Sequence, residues 1–157
     1  METATPTARM TPKDRRATAI MRWVGPVHTA LLRAVRGRAM WRFRGGDVVL
    51  LTHTGRRSGR QYTVPLLHLR DGEDVLVAAS NGGVDAEPQW WLNLQDSPYA
   101  EIEIRGERRA VVAEAVPDAE HDELWQRFRA IGGMYDKYQA GVRRRITLVR
   151  LRPYRAR

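Results

Sequence analysis

Near residue 40 the spacing of apolar positions changes from that of a helix to that of strands. Val24, Val27, Leu31, Val35 and Ala39 recur at helical spacing, with His28 and Leu32 beside them. Arg22, Arg33 and Arg36 fall largely on other faces. Thr11-Pro12 followed by Asp14 reads as a capped helix start. The pattern predicts one short helix to about Trp23 and, after Gly25-Pro26, a second to about Met40. Strands are predicted over 40–44, 47–53, 61–69, 74–80, 100–105, 108–116 and 145–152. Gly45-Gly46, Arg70-Asp71-Gly72-Glu73 and Gly106-Glu107 mark the turns. Helical interruptions fall at 88–95 and 118–130. Six or seven short strands with tight turns give an α+β chain built on an antiparallel barrel, not alternating βαβ units.

Charge divides the chain in the same place. The net charge is +9, but residues 1–46 hold ten basic and two acidic side chains, while residues 47–157 are close to neutral. The sequence is therefore read as a basic N-terminal helical arm, 1–46, and a barrel body, 47–157, within one domain overall. An arginine-rich amphipathic arm either packs on the body or meets a membrane surface, with Trp23 and Trp41 near the interface. It lacks the interleaved aromatics or motif of a nucleic-acid binder. There is no cysteine, which excludes disulfides and thiolate chemistry and fits a reducing cytosol. No apolar run reaches the length of a spanning helix, and the first residues lack a signal-peptide core. The expected location is cytoplasmic, with the inner face of the cell membrane as a peripheral option.

Three stretches carry candidate chemistry. In Thr54-Gly55-Arg56-Arg57-Ser58-Gly59-Arg60, between two strands, glycines expose backbone N–H groups and arginines supply forked donors. The combination suits an anion, most simply a phosphate; the alternative is a solvated hairpin with a basic tip. It is not a P-loop, because the glycine spacing is wrong and no Lys-Ser/Thr follows. In Ala78-Ala79-Ser80-Asn81-Gly82-Gly83, small residues leaving a strand would let a flat ligand lie against the backbone. The helix that follows holds Trp90, Trp91 and Asn93; one tryptophan is expected in the core and the other at a pocket wall. In Gly132-Gly133-Met134-Tyr135-Asp136-Lys137-Tyr138, the tyrosines at i, i+3 would turn both hydroxyls one way behind a mobile glycine pair. His28, His53, His68 and His121 lack ligand spacing, so no metal site is expected, and His121 is read as solvated on its helix. Ser58, Ser80 and Ser97 lack a nucleophile elbow, and no GxGxxG follows a strand.

Taken together, Thr54-Gly55-Arg56-Arg57-Ser58-Gly59 with Pro65-Leu66, then Ala78 to Gly83 with Asp85, then Trp90-Trp91-Leu92-Asn93-Leu94, resemble the TGRKSG…PL, ASxGGxD and WxxNL blocks of the deazaflavin-dependent nitroreductase and quinone reductase family. The resemblance runs from about Val48 to Pro153. It implies a split β-barrel like that of FMN-binding pyridoxamine-phosphate-oxidase relatives. It also implies coenzyme F420, an 8-hydroxy-5-deazaflavin bearing a phosphate and an oligoglutamate tail, in preference to FMN. Carried over by position, Thr54, Gly55, Arg56, Arg57, Ser58 and Arg60 would cradle the phosphate, with Pro65 nearby. Ala78, Ala79, Ser80, Asn81, Gly82 and Gly83 would line the ring, with Trp90 and Asn93 closing that side. Ser80, Tyr135 and Tyr138 would serve catalysis by hydrogen-bonding a quinone or nitroaromatic acceptor as it takes a hydride. A homodimer is a further expectation, and a non-catalytic carrier of F420, a flavin or a lipid-like ligand is the alternative to an enzyme. The chain departs from the family pattern at Gln61 and Tyr62, where many members have proline and arginine. It also carries Arg57 in place of a common lysine, and Gly132 where some members have a tyrosine.

Overall fold

A computed structural model of the chain describes residues 41–155. The predicted arm helices before residue 41 lie outside the described residues. The strands are β1 (Arg42–Phe43), β2 (Gly46–Thr54), β3 (Gln61–Asp71), β4 (Asp74–Ala78), β5 (Tyr99–Ile104), β6 (Glu107–Ala115) and β7 (Leu148–Pro153). Three α-helices interrupt them: α1 (Gln89–Asp96), α2 (Asp118–Ile131) and α3 (Met134–Gly141). A 3-10 turn spans Asn81–Gly83.

Every strand pair is antiparallel, in the order β1-β2-β3-β4-β7-β6-β5. Pairing of β2 with β5, in the register Leu50↔Glu103 and Leu51↔Ile102, closes strands β2 to β7 into a six-stranded barrel. Two hairpins are set by two-residue turns, Arg44-Gly45 and Arg105-Gly106, whose φ angles are all positive. That geometry matches the twist of the flanking strands. The split-barrel fold expected from the sequence is the one observed.

Alternation along each strand decides which core a side chain joins. Val49 and Leu51 of β2, Val75 and Val77 of β4, Ile102 of β5, Val111 of β6, and Val149 and Leu151 of β7 form one cluster with Trp90, Trp91 and Leu94 of α1. The opposite face of β4, Leu76 and Ala78, packs with Leu148, Leu124, Phe128 and Tyr135 beneath α2 and α3. The opposite face of β2, Val48 and Leu50, packs on Trp41. Both faces of these strands are buried, which is why they read as continuous apolar runs.

Three expectations change. His121 is not solvated: it is 5% exposed, its Nε2 donates to the Ile146 carbonyl oxygen at 2.8 Å, and its ring stacks on Trp125. The buried stripe of α2 is His121, Leu124 and Phe128, so the histidine sits on the inner face at i, i+3, i+7. Trp41 is buried on the barrel, in line with packing on the body rather than a place at a membrane interface. Trp90 and Trp91 are both buried, because α1 is embedded rather than laid on the surface. The last strand starts at Leu148 instead of residue 145. Ahead of it, Arg145 bonds Asp118 and Asp122 of α2, and the Ile146 N–H donates to Gln139 of α3, so helices hold this stretch in place of a strand partner.

Candidate functional site

The loop after β2 is closed on itself. The Gly55 N–H donates to the Arg60 carbonyl at 2.7 Å, and the Gly59 N–H donates to the Gly55 carbonyl at 2.8 Å. Tyr62 and Ser58 press against Gly55 so closely that a Cβ there would lie 2.6 Å from the tyrosine ring and 2.8 Å from Ser58 Oγ. Only glycine fits. The Tyr62 hydroxyl also bonds Ser58 Oγ at 3.1 Å, which in turn accepts the Arg60 N–H at 3.3 Å. Tyr62 therefore stiffens the loop from inside.

The three arginines divide their work. Arg56 turns back onto α1: its backbone N–H and its Nη1 both donate to Asn93 Oδ1, at 3.1 and 2.8 Å, and Nη1 also donates to Gln89 Oε1 at 3.1 Å. Arg57 and Arg60 are exposed, and among the described residues their guanidinium groups have no carboxylate or hydrogen-bond partner. The first turn of α1, which has no side-chain cap, begins at Gln89 beside this loop. Two guanidinium groups unpartnered among the described residues, on a loop that Arg56 ties to the start of a helix, make a place where negative charge is favoured. Thr54 is exposed at the end of β2 opposite Gln61. Pro65 sits in the part of β3 that β4 does not reach, where its missing N–H removes no ladder bond on that edge.

Behind the loop lies a residue that the motif blocks do not mark. His53 continues the inward row Val49, Leu51 of β2 and is 6% exposed. Burial pulls its pKa down to about 4, so the ring is neutral near pH 7, and Nδ1 lies 3.2 Å from Asn93 Nδ2. Asn93 is therefore engaged at both ends of its amide, by Arg56 and by His53. A lone histidine in an apolar row just before a glycine-rich loop is the only trace of this link in the sequence.

The second block leaves β4 on the other side of α1. Ala78 and Ala79 are buried; the Ala79 N–H donates to Thr147, and its carbonyl accepts Arg144 Nη2 at 2.9 Å. Arg144, another residue the motifs did not mark, also reaches the Ala86 carbonyl and lies 3.6 Å from Glu87. Ser80 and Asn81 are half-buried. Asn81 has φ +49, and its Nδ2 donates to the Ala86 carbonyl, folding the Asn81–Gly83 turn toward the start of α1. Gly82 is exposed, and a Cβ on Gly83 would lie 3.0 Å from the Tyr138 ring.

Helix α3 thus rests on that turn through Tyr138. Its other tyrosine does not share the position. Tyr135 is 4% exposed, edge-on to Phe128 at 5.3 Å and Trp125 at 5.9 Å, and burial pushes its hydroxyl well above the usual range. Tyr138 is half-buried with its ring 6.0 Å from that of Tyr135. The structure therefore joins the first block to the third through Arg56 and Asn93, and the second to the tyrosine helix through Gly83. Two cavities of about 260 and 280 Å3 lie elsewhere, around Arg70 and His68, and share no lining residue with this site.

Comparisons with known proteins follow the same residues. A protein of Mycobacterium tuberculosis (strain H37Rv) named F420H(2)-dependent quinone reductase is 34% identical over 127 residues, which is 78% of this chain and 85% of that one. A further relative from the same organism is 36% identical over 105 residues, covering 67% of this chain and 88% of its own length. Among solved structures, an F420-H2 dependent reductase superposes with a TM-score of 0.61 at 25% identity, over 66% of this chain and 92% of that one. The sequence pattern of one family spans residues 23–153, taking in the arginine loop, the small-residue turn, α1 and the tyrosine helix together. By that match and those identities, the chain belongs to the F420H(2)-dependent quinone reductase family.

Proposed function

We propose that this chain binds the reduced deazaflavin coenzyme F420 and uses it to reduce a quinone, with nitroaromatic compounds as a second class of acceptor. The observation that carries the reading is the pair of guanidinium groups, Arg57 and Arg60, that have no partner among the described residues, on a loop that Asn93 holds beside the start of α1. That cradle fits a phosphate and its anionic tail.

The side chains of Arg57 and Arg60 take the phosphate, while Arg56 orients the loop instead of reaching out. Thr54, Gly55 and Ser58 shape that cradle, and Pro65 flanks it. Ala78 to Gly83 offer a flat, small-residue wall for the ring, with Trp90 and Asn93 supporting the α1 side. Bound in its reduced form, the coenzyme supplies a hydride. The side chains have two tasks: to hold the acceptor against the ring face and to stabilise charge that develops on its oxygen. Ser80 and Tyr138, both half-buried next to the turn, donate hydrogen bonds there, and Tyr135 acts from the core by carrying Tyr138. No buried general base is required.

Titrating the purified chain with F420 and then following oxidation of the reduced coenzyme with menadione tests the reading. Binding and oxidation are expected; binding without oxidation would favour a carrier. The +8 charge of residues 1–46 supports contact with an anionic lipid surface, for which flotation of the full chain with anionic liposomes is the test.

A further inference from the structure

We propose that His53 is a positioning residue for the anion cradle, acting through Asn93. The inference rests on the coenzyme reading above and adds a residue outside the motif blocks. Its starting point is the amide of Asn93, which is buried at 6% exposure and has two chemically different ends. The oxygen end accepts from the Arg56 N–H at 3.1 Å and from Arg56 Nη1 at 2.8 Å. The nitrogen end lies 3.2 Å from His53 Nδ1. An amide nitrogen only donates, so Nδ1 must present a lone pair and the proton must sit on Nε2.

The two Arg56 donors and the histidine acceptor together set which way the amide faces: the nitrogen points inward and the oxygen points at the loop. With the amide reversed, its NH2 would face two donors of Arg56, and even if the ring changed tautomer to meet the oxygen, two hydrogen bonds would be lost in a buried place. The imidazole thus anchors the inner end of the Asn93 amide, Asn93 holds the backbone of Arg56, and Arg56 begins the turn that displays Arg57 and Arg60. Burial between the barrel interior and the stacked Tyr62 ring, 6.0 Å away, keeps His53 neutral for this role. An aliphatic residue of similar size at position 53 would preserve the packing and remove the acceptor.

The test compares the wild type, His53→Leu and His53→Gln for binding of F420 and of the same deazaflavin lacking the phosphate, alongside steady-state kinetics. The wild type is titrated first, so failure of the coenzyme reading itself would show there as no binding. For His53→Leu the expectation is about tenfold weaker F420 binding, unchanged binding of the phosphate-free ring, and a raised KM at nearly constant kcat. His53→Gln, which can again offer an oxygen to Asn93, should recover most of the loss. Equal weakening for both ligands, or none for either, would overturn the proposal. Nitrogen NMR of the wild-type histidines is independent of any variant: His53 is expected as the Nε2–H tautomer at pH 7, and an Nδ1–H form or an imidazolium would overturn it too.

Discussion

Asn93 on α1 and Arg56 on the loop after β2 are tied by two hydrogen bonds to one oxygen, from a backbone N–H at 3.1 Å and a guanidinium at 2.8 Å. Thirty-seven residues separate them in the chain, and the amide of Asn93 is buried. This contact joins the barrel end, α1 and the arginine loop into one unit. Replacing Asn93 with leucine should leave the Arg56 donors unsatisfied, at a cost of about 1–3 kcal/mol in stability. F420 binding should weaken in the same variant. Chemical denaturation and coenzyme titration measure the two effects separately.

Arg57 carries charge but no structural bond among the described residues. Arg57→Ala should therefore leave the melting temperature within a degree or two while weakening F420 binding about tenfold or more. The loss should shrink as salt is raised, because the contact is electrostatic and exposed. A variant with unchanged affinity would remove Arg57 from the cradle.

Tyr138 meets Gly83 at the turn through its ring and backbone. Tyr138→Phe should lower the rate of single-turnover coenzyme oxidation while leaving F420 affinity nearly unchanged. Full retention of that rate would exclude the hydroxyl from acceptor binding. Tyr135→Phe is expected to act on stability instead, since that ring is held between Trp125 and Phe128.

The pH dependence of stability has a defined sign. Burial lowers the pKa of both His53 and His68 from 6.5 to about 4, so between those values the unfolded chain binds more protons than the folded one. Stability should be full above about pH 6.5 and fall as the pH drops toward 4, by no more than about 3 kcal/mol for each histidine. Asp71, held below the usual carboxylate range by Arg127, adds a loss of the same sign at lower pH. Denaturant midpoints between pH 4 and 7 check this, and His53→Gln should flatten part of the slope.

The sequence made the barrel legible because its strands have strong turn signals between them, such as Asp71 to Asp74 and Arg105-Gly106. The arginine loop was legible as a turn between two strands, but its glycines and arginines fit a solvated basic hairpin as well as an anion site, and only the family resemblance favoured the second. What escaped was everything set by a distant partner. His121 looked solvated because Asp122 and Glu123 flank it, yet its acceptor is the carbonyl of Ile146, 25 residues away. Tyr135 and Tyr138 shared a predicted face, but only packing against Phe128 and Gly83 could sort one into the core and the other onto the turn. Arg56 and Arg57 looked alike in the sequence, and only the position of Asn93 shows that Arg56 bonds α1.

The most direct measurement of the central claim is a titration of the full chain with F420, followed by addition of menadione to the reduced complex. Saturable binding that falls as salt increases is expected, then oxidation of the bound coenzyme with loss of menadione. Absence of F420 binding at low salt, in a chain that remains folded, would contradict it.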